Sequence, residues 1–79
     1  MPQESGAGFP VRAELPGTVA DVVATAGTAV EAGAAIVLLD SMKMEIPVLA
    51  PRAGTVRRVV VGPGDQLMQG DLVAVLDLT

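Results

Sequence analysis

The sequence predicts an all-β domain, two sheets packed face to face, and three observations carry that prediction. Short apolar runs rich in Val, Ile and Thr follow one another from Val11 onward, each closed by Gly or Pro within a few residues. The apolar content is 51%, mainly Val, Ala and Leu, with Phe9 the sole aromatic. Such small aliphatics suit closely spaced sheets, which are filled by many short side chains rather than a few large ones. The third observation is an internal repeat. Laying residues 13–40 on 50–77, an offset of 37, gives 10 identities in 28 positions without a gap. No apolar period of a helix is sustained and capping signals are poor, so helices are not expected.

Residues 1–10, rich in Gly, Pro and small polar residues, are expected to form a flexible lead, with the folded domain spanning 11–79. In the first copy of the repeat a strand follows Gly17-Thr18-Val19 and includes Val22-Val23. The chain turns at Gly27, a short run through Val30 leads to Gly33, and a strand through Ile36 ends in Leu39-Asp40. The second copy keeps that punctuation: Gly54-Thr55-Val56, Val59-Val60, Gly64, Leu67, Gly70, Val73 and Leu76-Asp77. Glycines are expected where turns need positive φ. One copy has too little apolar surface to fold alone. Two related by a pseudo-twofold close a sandwich, each sheet covering the other's apolar face.

The copies meet at Ser41-Met42-Lys43-Met44-Glu45-Ile46-Pro47-Val48-Leu49. A strand over Ala35–Asp40 and another over Glu45–Leu49 are close enough to form a hairpin with Met42-Lys43 at its tip. Lys43 is the only lysine of the chain and falls on the seam of the repeat.

Composition excludes several functions. With no His, Cys, Trp or Tyr, the chain lacks the usual neutral-pH acid–base group, a thiolate nucleophile and the His/Cys metal sites. The carboxylates are spread along the chain, so no metal site is assigned. Ser41 has no histidine to activate it, and no phosphate-binding glycine motif is present. A net charge of −4 argues against nucleic acid, whose binding needs a basic footprint. Arg52, Arg57 and Arg58 are the one basic concentration and read as a solvated strand face. The start shows no signal-peptide pattern and the longest apolar run, Ala34 to Leu39, is too short to span a bilayer, so a cytoplasmic protein is expected.

A turn lysine is ordinarily a solvated charge. Lys43 differs in having methionine on both sides, where a tip is usually polar. The phrase Asp40-Ser41-Met42-Lys43-Met44-Glu45-Ile46-Pro47-Val48-Leu49-Ala50-Pro51, followed by Gly54-Thr55-Val56, resembles the attachment segment of biotin carboxyl carrier proteins. The resemblance covers about residues 11–79, including Gly64-Asp65 and Leu67, and Met42-Lys43-Met44 is its discriminating element. Asp40, Ser41 and Thr28 stand where the family more often has Glu, Ala and Asp. The span from Ala20 to Leu39 leaves no room for the protruding loop of some bacterial carriers, which makes the chain similar to small actinobacterial biotinylated proteins.

The resemblance implies a flattened β-barrel, a barrel-sandwich hybrid of two antiparallel four-stranded sheets with quasi-twofold symmetry. It implies that biotin protein ligase joins the activated carboxylate of biotin to the amine of Lys43, with Met42 and Met44 as recognition elements. The modification removes one positive charge, taking the formal charge from −4 to −5. A lysine amine is almost wholly protonated at neutral pH. Its deprotonation falls to the ligase, since nothing in the sequence is an obvious base. In the family, biotin carboxylase then carboxylates the biotin, and a carboxyltransferase passes the carboxyl group to an acceptor such as an acyl-CoA. The chain itself carries no catalytic residue in this scheme. Tethering raises the effective concentration of the cofactor at both sites. Two alternatives share the fold: a lipoyl carrier, whose segments usually read Asp-Lys-Ala, and an adaptor whose lysine is never modified.

Overall fold

The computed structural model describes residues 8–79. It has eight strands and, among the described residues, no helix: β1 (Phe9–Arg12), β2 (Gly17–Val22), β3 (Ala29–Val30), β4 (Ala35–Ser41), β5 (Met44–Leu49), β6 (Gly54–Val59), β7 (Gln66–Leu67) and β8 (Leu72–Leu78). They form two antiparallel four-stranded sheets, ordered β1-β8-β6-β3 and β5-β4-β2-β7. Adding the repeat offset of 37 to the bounds of β2, β3 and β4 gives the bounds of β6, β7 and β8 residue for residue. The strand order of one sheet therefore maps onto that of the other. The expected flattened barrel-sandwich is the architecture found.

The symmetry extends to single hydrogen bonds. Gly27 N–H donates to the Val56 carbonyl at 2.8 Å, and Gly64 N–H donates to the Val19 carbonyl at 2.8 Å. These two glycines have φ of 92° and 94°, so both turns rest on the conformation the sequence anticipated. The bulge between Val19 and Asp21 in β2 recurs between Val56 and Arg58 in β6. The two glycine bonds tie each half to the other on equal terms, and the bulges repeat within each half.

The core is built from one inward residue set of each sheet. Val19, Ile36, Val37, Leu39, Val56, Val73 and Leu76 are the largest fully buried side chains. Among the described residues no polar or charged residue is buried. Sandwich cohesion is thus apolar burial plus strand pairing. Two of the four edge strands, β1 and β5, carry Pro10 and Pro47 at equivalent positions, opposite Val75 and Leu38. Proline lacks an N–H and suits an edge, where it also blocks pairing with another chain.

Two expectations change. Most of the expected lead, residues 1–7, lies outside the described residues. Phe9 and Pro10 do not belong to a lead: they open β1, paired with Leu76 and Val75, because Phe9 finds the core to pack against. The arginine group is also divided. Arg57 and Arg58 lie on β6, and Arg57 donates to Asp77 at 2.9 Å from Nε, a bond that raises the guanidinium pKa further. Arg52 lies in the loop before β6, its guanidinium carbon 6.0 Å from the Phe9 ring centroid. No helix among the described residues is long and apolar enough to cross a membrane.

Candidate functional site

β4 and β5 pair along their full lengths, from Ala35 opposite Leu49 to Ser41 opposite Met44. That register leaves a two-residue turn, Met42-Lys43, as the sequence indicated. The favoured two-residue hairpin turn requires positive φ at both central residues, and asparagine and glycine supply it most easily. Here Met42 has φ 52° and Lys43 φ 67°. These are the only described non-glycine residues in the left-handed region, each at a cost of about 1–2 kcal/mol. Strain of this kind persists only where the surroundings hold it, and the long paired strands below the turn do so.

The root of the hairpin is fastened on its inner side. Ser41 Oγ donates to the Pro16 carbonyl at 2.9 Å, joining β4 to the loop between β1 and β2. Gly17 lies so close that an added Cβ would sit 3.1 Å from the Asp40 carbonyl oxygen and 3.3 Å from Ser41 Cβ. Above this root nothing among the described residues covers the turn. Met42 is 92% exposed and Met44 62%, in a chain whose core aliphatics are near zero. Lys43 is exposed and makes no hydrogen bond or ion pair with the described residues. Asp40 and Glu45 face each other one step below, both exposed.

The inner row of β5 runs outward from the core: Val48 is buried, Ile46 half-buried and Met44 exposed. Beside it opens a groove of about 140 Å³, walled by Ile46 and Leu39 on one side and by Leu15 with Arg12 and Glu14 on the other. The sequence did not single out Leu15 or Pro16. Their signal lay in the repeat, because Leu15 aligns with Arg52 and breaks the match beside a conserved Gly-Thr-Val phrase.

This arrangement presents a primary amine and does not activate it. No acid or base of the described chain is hydrogen-bonded or ion-paired to Lys43. No group of three or more His, Cys, Asp or Glu among the described residues is placed to hold a metal ion.

The model of a protein family described as biotin-requiring enzyme, with biotin and lipoyl in its family label, matches residues 8–76. The chain belongs to that family. A biotinylated protein TB7.3 homolog of Mycobacterium leprae is 52% identical over 66 residues, covering 84% of this chain and 93% of the relative. Among solved structures, a single-chain, multi-domain long-chain acyl-CoA carboxylase contains a region 35% identical with TM-score 0.86. It covers all of this chain and 8% of that one, so the fold also occurs as a small part of a carboxylase. The lipoyl domain of the 2-oxoglutarate dehydrogenase complex of Azotobacter vinelandii matches at TM-score 0.63 and 33% identity, over 77% of each chain. The biotinylated relative and the carboxylase region therefore resemble this chain over more of its length than the lipoyl domain does.

The residues present fit a covalently held biotin. An amide to its carboxylate needs one accessible amine with room for a ligase around it, and the exposed two-residue turn supplies both.

Proposed function

We propose that this chain is a biotin carrier and that Lys43 is its attachment residue. The observation that carries the proposal is the tip itself: the sole lysine, in a strained turn, between two exposed methionines, with no partner among the described residues. Biotin supplies the chemistry of carrying a carboxyl group from one active site to another. The chain holds it, and each of its parts has a role in doing so. Lys43 contributes the amide nitrogen. Met42 and Met44 give the ligase flexible apolar surface beside that nitrogen. The paired strands and the Ser41–Pro16 bond keep the turn in one conformation, so only the arm and any linker need to move.

The partners that follow are biotin protein ligase, biotin carboxylase and a carboxyltransferase acting on an acceptor such as an acyl-CoA. The chain is a non-catalytic subunit or domain of that system, and we place it in the cytoplasm, where ATP for the carboxylation step is available. A lipoyl carrier is the second reading, and the methionine on each side of Lys43 counts against it.

The test is an intact mass after co-expression with a biotin protein ligase, with Lys43→Arg alongside. One biotinyl group on the parent chain and none on the variant is the expected result. A lipoyl mass, or no addition after exhaustive ligase treatment, would overturn the proposal.

A further inference from the structure

The two halves of this fold act as controls for each other, because a feature present in one and absent from the other is not demanded by the fold. Phe9 and Ile46 are equivalent across the offset of 37, and so are Arg52 and Leu15. At the end away from the hairpin, Arg52 stands over the Phe9 ring at 6.0 Å. At the hairpin end both residues are aliphatic. Leu15 is 46% exposed there, and between it and Ile46 lies the groove of about 140 Å³.

The groove lies against β4 and β5, the strands that carry the tip. Pro16, the neighbour of Leu15, accepts the Ser41 hydrogen bond at 2.9 Å, so the Leu15 wall is fastened to the hairpin root. On the other wall Ile46 and Met44 follow one another on the same face of β5, and Met44 flanks Lys43. An apolar surface thus runs from the turn into the groove. At its rim Arg12 is held by the Gly70 carbonyl at 3.1 Å, so the rim has a fixed shape.

We propose that this groove receives an apolar side chain of the biotin protein ligase, and that Leu15 is a specificity-determining contact for biotinylation. The inference rests on Lys43 being the biotinylated residue. The ligase is the partner that must hold the bare turn, with its free amine, in a fixed pose, and the turn offers only two methionines for that purpose. The adjoining groove extends the hold onto the rigid part of the domain. A second copy of the chain is a poorer occupant: two molecules of net charge −4 repel each other, and a copy seated there would crowd the tip.

The experiment measures initial rates of biotin incorporation by a purified biotin protein ligase, with ATP and biotin saturating and the unmodified chain varied. The variants are Leu15→Arg, Leu15→Ala and, as a distant control, Val23→Arg. Leu15→Arg copies the residue that the equivalent position already carries, so the sandwich accommodates it. Val23 is 52% exposed and hydrogen-bonds Ile36, at the end of β4 away from the turn. Both Leu15 variants are expected to raise KM about tenfold with kcat nearly unchanged, the effect of roughly one lost apolar contact at an interface. Val23→Arg is expected to leave KM as it was. If Leu15→Arg does not fold, Leu15→Ala decides the question. Parent-like KM for Leu15→Ala, or an equal rise for Val23→Arg, would overturn the proposal. Loss of biotin incorporation by the parent chain would instead overturn the Lys43 assignment beneath it.

Discussion

Ser41 and Pro16 are joined by a hydrogen bond of 2.9 Å between positions 25 apart in sequence, directly beneath the Met42-Lys43 turn. It binds the sheet that carries the hairpin to the loop arriving from the other sheet. Ser41→Ala removes the donor and leaves the rest of the hairpin paired. The expected loss is about 0.5–1.5 kcal/mol, a net hydrogen bond. For a domain of this size that lowers Tm by roughly 4–8 °C per kcal/mol, read by circular dichroism. An unchanged Tm would mean that strand pairing alone holds the root.

The turn above that bond stores strain at the proposed attachment residue. Met42 and Lys43 hold φ of 52° and 67°, so relieving either position stabilises the chain. Met42→Gly and Lys43→Gly are each expected to gain about 0.5–1 kcal/mol in urea unfolding. On the proposed assignment, Lys43→Gly is expected to take no biotin, and Met42→Gly to take it more slowly for want of the thioether beside the amine. A destabilised Lys43→Gly would show that the left-handed conformation costs nothing here.

The fold was legible because its symmetry is written in sequence. Gly17-Thr18-Val19 and Gly54-Thr55-Val56 announced β2 and β6, and the seam between the copies announced the turn. The start of β1 was missed although Pro10-Val11 and Pro47-Val48 continue the same offset of 37. Gly6, Gly8 and Pro10 gave that stretch a loop-like composition, while its strand character comes from pairing with β8. Lys43 was legible as a candidate site, because two methionines beside a lone lysine are visible in one dimension. Leu15 was not. Its exposure depends on a loop folding back on β5, a contact between distant parts of the chain that no local pattern records.

Gly17 and Gly54 occupy equivalent positions but have unequal room. A Cβ on Gly17 would stand 3.1 Å from the Asp40 carbonyl, tight but open to a small adjustment. A Cβ on Gly54 would overlap the Asp77 carbonyl oxygen, with Leu78 Cα at 3.1 Å behind it, and both are backbone atoms of a paired strand. Gly54→Ala is therefore expected to cost about 2–3 kcal/mol as an overpacked site, and Gly17→Ala about 1 kcal/mol or less. Urea midpoints of the two variants check the order. Equal losses would show that β8 can shift as easily as β4.

Leu39 and Leu76 are the equivalent core leucines of β4 and β8, 1% and 0% exposed. Truncating either to alanine removes the same atoms, so a purely symmetric sandwich would lose the same stability twice. The neighbours differ. Leu76 lies opposite Phe9 in the sheet, and Phe9 lies beneath Arg52. Leu39 lies opposite Ile46 and lines the groove under Leu15. A void left by Leu76→Ala is enclosed, and its walls have no space to follow the lost atoms inward. At Leu39 the groove gives Ile46 and Leu15 freedom to close up, or admits water, so less empty volume persists. Leu-to-Ala costs span about 2–5 kcal/mol and rise with the residual cavity. Leu76→Ala is accordingly expected toward the upper end and Leu39→Ala toward the lower, with similar urea m-values. The reverse order would mean that the groove does not reach the core beside Leu39, and that the hairpin end is packed as tightly as its twin.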